Sequence, residues 1–291
     1  MIQCIHSVKK EGVKVHFLGR LINILNTSMQ TPTMYGWFHL LFWALSIGGA
    51  VALCVCFKSP SEKTVRKIIF IFAAVSIVLE IYKQFNYTFS YDGTKISADY
   101  QWYAFPFQFC STPMYVALLA ALIKNKKIHS AMCSYLATFS LFAGICVMIY
   151  PVQVFIDTIG INIQTMICHG SMITIGVWLI YCEYIEYEHK TILGGISIFA
   201  ILVVAASIMN RIAFATGLLE RETFNMFYIS PHCDPSLPVY SAVQNAIAFP
   251  WCLIIYVAAF SLAAYFILLF AITIKKAVSK RKTDKKTTIT V

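Results

Sequence analysis

Seven stretches of predominantly apolar residues run through the chain: Met34–Phe57, Ile68–Phe89, Tyr103–Ile123, Ala131–Tyr150, Asn162–Glu183, Ile192–Phe214 and Ala246–Ile274. A helix needs about 20 such residues to cross a bilayer core about 30 Å thick. Inside lipid the backbone must satisfy its own hydrogen bonds, which a helix does within one segment. The expected fold class is therefore all-α, a polytopic membrane helical bundle of about seven transmembrane helices. Three regions follow: an interfacial N-terminal segment (1–33), the seven-helix domain (34–274) and a basic tail (275–291).

Composition closes off other classes. Only 12% of the residues are charged, against about 25% in soluble domains, and the mean hydropathy is +0.71. The net charge of +10 raises the possibility of a nucleic-acid partner, but the tail from Lys275 to Val291 holds seven Lys/Arg against one Asp. Charge placed there suits anionic lipid headgroups, and no nucleic-acid partner is expected. The first 30 residues hold no continuous apolar core, so they do not read as a cleavable signal peptide. Phe17, Leu18, Leu21, Ile22 and Leu25 recur at helical spacing beside Lys14 and Arg20, the pattern of an amphipathic helix lying on the membrane surface.

Lys/Arg residues set the orientation. Fifteen fall on the side of the tail and eight on the other, which predicts a cytoplasmic C-terminus and an extracytoplasmic or lumenal N-terminus. The sequons Asn26-Thr27-Ser28 and Asn86-Tyr87-Thr88 fall on that second side, where N-glycosylation would act in a eukaryotic cell.

Polar groups within apolar spans are costly and mark functional sites. The first helix carries His39, the second Glu80 and Lys83, the third Gln108 and Cys110, the fifth Gln164 and His169. The sixth ends with Asn210 and Arg211, and Gln244 and Asn245 lead into the last. All lie in the half away from the tail, and Cys110 and His169 each fall about 10 Å below their helix ends at 1.5 Å per residue. One polar cavity accounts for the set. A Cys and a His are the minimum for thiol catalysis, with the imidazole taking the thiol proton so that a thiolate attacks a carbonyl. Pro106 suits the first turn of the third helix, whose dipole would then act on Cys110. Pro113 would release the carbonyl of Phe109. Glu80 has three possible partners: His169, Lys83 and Arg211.

Blander roles compete with these. A membrane cysteine is usually a small packing residue, a membrane histidine an interhelical hydrogen-bonding group, and Glu80 with Lys83 an ion pair at a helix end. His39, His169 and Glu80 could alternatively hold a metal ion. However, the chain has no Cys-x-x-Cys or zinc-ligand spacing, no phosphate loop and no Gly-x-Ser-x-Gly, so neither metal nor cofactor is expected. Cys4 and Cys233 could pair.

The order of these features resembles the YwaF-like family of integral membrane proteins, to which the animal transmembrane ether-phospholipid acyltransferases look related. The resemblance runs from Tyr35-Gly36-Trp37-Phe38-His39 to Pro250-Trp251. It passes through Glu80 and Lys83, Phe105-Pro106-Phe107-Gln108-Phe109-Cys110-Ser111, Ile163-Gln164, Cys168-His169-Gly170, Asn225-Met226, Ser230-Pro231 and Asp234-Pro235. Bacterial members usually carry His where this chain has Gln108. The resemblance implies acyl transfer between phospholipid and lysophospholipid through a Cys110 thioester, with His169 as base. Gln108, Asn210, Arg211 and Asn225 would hold a phosphate or an oxyanion, with Glu80, Lys83 and His39 in support and no obligate protein partner evident. Two other functions fit the same sequence. A lipid or fatty-ester hydrolase would use the same residues, and a transporter or ligand-binding protein would use the cavity alone.

Overall fold

A computed structural model describes residues 16–217, 223–233 and 238–289. The bundle consists of α1 (residues 16–25), α2 (Trp37–Cys56), α3 (Glu62–Asn86), α4 (Thr112–Leu122), α5 (Lys126–Ile149), α6 (Ile159–Tyr181), α7 (Thr191–Thr216), α8 (Pro238–Ala246) and α9 (Phe249–Ile289). Between α3 and α4 lie an antiparallel hairpin, β1 (Phe89–Tyr91) and β2 (Ile96–Ala98), paired Phe89 to Ala98, and a 3-10 turn at Trp102–Ala104. The end of the bundle carrying the hairpin is the hairpin side, and the end from which α9 projects is the tail side.

The chain is a multi-pass membrane protein. Among the described residues five helices, α2, α5, α6, α7 and α9, are long and apolar enough to cross a membrane. Helix α3 has 25 residues, bordered by Glu62, Lys63, Arg66 and Lys67 at one end and by Glu80 and Lys83 near the other. Local chemistry sets its start: Ser61 accepts a hydrogen bond from the Thr64 N–H at 3.2 Å, and Glu62 pairs with Arg66 one turn on at 2.8 Å. Helix α5 contains a π-helical turn at Leu136–Ser140, and α7 stops at Gly217, whose φ of 62° suits the left-handed cap glycine accepts most readily.

The third apolar segment departs from expectation. It is helical only from Thr112, and its 11 residues span about 16 Å at 1.5 Å per residue, half the core. Prolines explain the break. A residue before proline avoids the α region, and Phe105, before Pro106, is extended with ψ 136°. Pro113 has no N–H to give and sits in the first turn of α4 instead. Backbone from 105 to 111 is therefore irregular, which inside a bilayer is tolerated only where protein encloses it or it lines a cavity.

Helix α6 is the central post, packed against α2, α3 and α5. Small residues allow close approach: a Cβ on Gly144 of α5 would stand 2.8 Å from the His169 carbonyl of α6. On the tail side the Arg66 guanidinium donates to the carbonyls of Ala120, Ala121 and Ile123, and His129 Nδ1 also meets the Ala120 carbonyl at 2.8 Å, gathering the end of α4. On the hairpin side α1 exposes Phe17, Leu18, Leu21 and Ile24 and buries Ile22, as an in-plane amphipathic helix does. Tyr82 and Asn86 of α3 clamp it, both donating to the Leu25 carbonyl at 2.7 and 3.0 Å.

Candidate functional site

Where the irregular 105–111 segment meets α3 and α6 there is a cavity of about 360 Å³. Its apolar wall includes Phe72, Met114 and Met172, and its polar wall includes Ser76, Glu80, Lys83, Gln108, Cys110, Ser111, Gln164, Thr165, Cys168 and His169. Tyr87, Tyr103, Gln153 and Tyr228 also line it. The structure thus brings Cys110, His169, Glu80, Lys83 and Gln108 to one space.

Cys110 stands two residues before α4, not inside a helix starting at Pro106. The loop carrying it is fixed by a buried chain of hydroxyls. The Thr112 hydroxyl donates to the Phe109 carbonyl at 3.0 Å, and Tyr135 of α5 meets the same hydroxyl at 3.0 Å. The Phe109 carbonyl is therefore occupied by a side chain. His169 lies ten residues into α6, about 15 Å from its hairpin-side end at 1.5 Å per residue. This is deeper than expected, because α6 begins at Ile159.

The His169 ring is fixed by its own helix. Nδ1 lies 2.7 Å from the Thr165 carbonyl; that oxygen can only accept, so Nδ1 carries the proton and Nε2 keeps a lone pair. Nε2 is buried and has no hydrogen-bond partner among the described residues. Cys168 beside it accepts from Gln164 Nε2 at 3.5 Å.

Glu80 takes one of the three partners open to it: Lys83, at 2.8 Å. Gln84 adds a donor at 2.6 Å to the same carboxylate oxygen and a second contact to the Ala104 carbonyl at 2.8 Å, so the ion pair is tied to the 3-10 turn above the cavity. Both charges are largely buried, at 8% and 16% side-chain exposure.

The amide side chains serve a different end. Residues 224–230 tuck into the bundle, with Met226, Phe227 and Ile229 fully buried. Gln108 donates to the Asn225 carbonyl and accepts from the Phe227 N–H, both at 3.0 Å. Asn210 likewise grips Met226, accepting from its N–H at 2.7 Å and donating to its carbonyl at 3.0 Å. Asn225 accepts from the Ser230 N–H, and the Tyr256 hydroxyl donates to the Phe227 carbonyl. These bonds hold Phe227 and Tyr228 at φ 59° and 57°, a conformation that costs energy without glycine, and place Tyr228 against the cavity. Gln108 and Asn210 thus spend both ends of their amides on backbone, and Asn225 its side-chain oxygen.

Four expected site residues do not line the cavity: Asn210 and Asn225, which serve the amide network, and His39 and Arg211. His39 is buried with both ring nitrogens used: Nδ1 accepts from the Tyr35 N–H at 2.9 Å, so Nε2 donates to the Met148 carbonyl at 2.7 Å. Arg211 is exposed on α7 and lines a separate groove. No group of three or more His, Cys, Asp or Glu among the described residues is arranged to hold a metal. Cys4, Lys9, Lys10, Lys14, Arg221 and Asp234-Pro235 lie outside the described residues.

Sequence reasoning missed Thr165, Ser111, Tyr228 and the hydroxyl pair Thr112–Tyr135. Thr165 acts through its carbonyl, which any residue type supplies. Tyr228 enters through two left-handed residues that carry no glycine signature. Ser111 could have been found from its place beside Cys110.

Compared with known proteins, the chain matches the TMEM164 family over residues 32–282. No curated protein and no solved structure matches it.

Proposed function

From the premise that the chain belongs to the TMEM164 family, we propose that it is a membrane acyltransferase moving a fatty acyl chain between phospholipid and lysophospholipid through a thioester on Cys110. The observation that carries this reading is the pairing, in one partly apolar cavity, of a thiol with an imidazole whose Nε2 lone pair is unclaimed. The resemblance to the YwaF-like family and its acyltransferase relatives supports the same chemistry.

In the first half-reaction His169 Nε2 takes the Cys110 proton, directly or through one water, as the thiolate sulfur attacks the ester carbonyl of a donor phospholipid. The resulting tetrahedral oxyanion collapses with cleavage of the carbon–oxygen bond. The departing lysolipid oxygen takes the proton from His169, and the acyl group remains on sulfur. In the second half an acceptor lysolipid hydroxyl gives its proton to His169 and attacks the thioester, and the released thiolate recovers that proton. Lys83 and Ser111, which line the cavity, take the charge-stabilising role first assigned to Gln108, Asn210, Arg211 and Asn225. Helix ends and headgroups meet on the hairpin side, which we place outside or in the lumen, with the basic tail cytoplasmic.

A clickable acyl phospholipid tests this. Wild type is expected to acquire a hydroxylamine-labile label on the Cys110 peptide, Cys110→Ser none, and His169→Gln a label formed at least about 100-fold more slowly, the lower bound for general-base assistance. Equal labelling and transfer by Cys110→Ser would falsify the mechanism. Fatty acid released at the same rate without lysolipid would reassign the site to hydrolysis. Stoichiometric lipid binding without any acylation would make it a binding or transport site.

A further inference from the structure

A second groove, of about 670 Å³, opens between α7 and α9 on the hairpin side and shares no lining residue with the Cys110 cavity. Val204 and Ile208 of α7 face Phe249 and Leu253 of α9 along its length, and Arg211 stands in its upper part, one turn below Phe214 and Ala215. Pro231 and His232 roof it, with the His232 ring stacked on Phe214 at a 3.4 Å centroid distance.

Arg211 decides what this groove can hold. It sits five residues before the end of α7, about 8 Å inside at 1.5 Å per residue. Its helix neighbours Ile208 and Ile212 are each 54% exposed toward the surrounding lipid. No hydrogen bond or ion pair joins its side chain to another described residue. A guanidinium at that depth is costly unless it reaches an anion, and its planar fork matches phosphate with two parallel hydrogen bonds. The ligand must therefore be anionic at the top and apolar below. From Arg211 to Val204 the groove descends seven residues, about 10 Å, toward the bilayer centre, which suits an acyl chain hanging from its headgroup.

We infer that this groove is a phospholipid-binding site, separate from the Cys110 cavity, in which Arg211 holds the lipid phosphate and the trench between α7 and α9 holds an acyl chain. Free phosphate lacks the chain, and a neutral lipid lacks the anion. The occupant is a glycerophospholipid of the hairpin-side leaflet.

Native mass spectrometry of the detergent-purified full chain titrated with palmitoyl-oleoyl phosphatidylglycerol tests the site. Wild type should hold a first lipid at least about 10-fold more tightly than Arg211→Gln. Arg211→Lys, which keeps the charge and loses the fork, should fall between them. Leu253→Trp, which fills the trench and leaves the guanidinium in place, should weaken binding independently. Palmitoyl-oleoyl glycerol, without phosphate, should not compete, nor should millimolar inorganic phosphate. Cys110→Ser should bind as wild type does, so the outcome does not depend on the thioester reading. Undiminished binding by both Arg211→Gln and Leu253→Trp would overturn the proposal, as would displacement of the lipid by phosphate alone or equal competition from the neutral lipid.

Discussion

At His169 the backbone selects the tautomer. The Thr165 carbonyl at 2.7 Å fixes the proton on Nδ1, so the lone pair faces the cavity without help from a carboxylate. Glu80, the expected orienter, is committed to Lys83. That pair has its own consequence. Replacing Lys83 by Met leaves a buried carboxylate with only Gln84 as donor, and breaking a buried pair from one side costs about 3–5 kcal/mol. Thermal unfolding in detergent should show Lys83→Met strongly destabilised, and Glu80→Gln combined with Lys83→Met less so than the sum of the single changes. Additive losses would mean the two charges do not interact. Cost alone gathered a wider set: polar groups in apolar spans need a reason to be there, which put His39, Glu80, Lys83, Gln108, Cys110, Gln164, His169, Asn210, Arg211, Gln244 and Asn245 in one group, and of these Glu80, Lys83, Gln108, Cys110, Gln164 and His169 line the cavity. Partner choice was not legible, because equal depth leaves helix rotation open. Rotation carries His39 and Arg211 away from the cavity.

Among the elements, the two irregular segments matter most, and each reveals a limit of reading periodicity. Residues 103–123 are apolar enough to count as one span, yet Pro106 and Pro113 divide it, with Cys110 in the gap. The segment 224–230 looks like a polar connection in sequence, but its backbone enters the bundle because Gln108 and Asn210 supply the donors and acceptors that lipid cannot. Replacing Asn210 by Leu removes both partners of Met226. A buried unsatisfied backbone group costs about 1–3 kcal/mol, so a loss of about 2–6 kcal/mol is expected. Because Tyr228 rides on this segment, its release should also open the cavity. Peptide-mapped maleimide labelling of Cys110 should then be faster in Asn210→Leu than in wild type at a temperature where both are folded. Unchanged labelling beside a lowered melting temperature would make the segment a packing element without control over access.

For the molecule as a whole, the helical class was legible from apolar run lengths and α1 from the helical spacing of Phe17, Leu18, Leu21, Ile22 and Leu25, whereas the hairpin was not, since three-residue strands leave too short an alternation to recognise. The sequons change meaning once the fold is known. Asn26 donates to the Phe89 carbonyl and Asn86 to the Leu25 carbonyl and the Tyr82 hydroxyl, so in the folded chain both amides help to staple α1 to α3 and the hairpin. Orientation must be read from an exposed position, and the hairpin tip offers one. There Asp92 accepts from the Lys95 N–H and from the Thr94 hydroxyl and N–H. These bonds hold its carboxyl down at about 2, so any stability this charge adds is present above the ordinary carboxylate range and fades as pH falls through about 2. Asp92→Asn keeps the accepting oxygen, preserves the turn around Gly93 at φ 98°, and completes an N-glycosylation sequon with Thr94. In a eukaryotic cell Asp92→Asn should carry one endoglycosidase-sensitive glycan more than wild type. An impermeant maleimide should leave Glu186→Cys, in the exposed loop after α6, unlabelled in intact cells or sealed microsomes. The reverse pair of results, no glycan at 92 with labelling at 186, would place the hairpin in the cytoplasm and turn the Cys110 cavity toward the opposite leaflet.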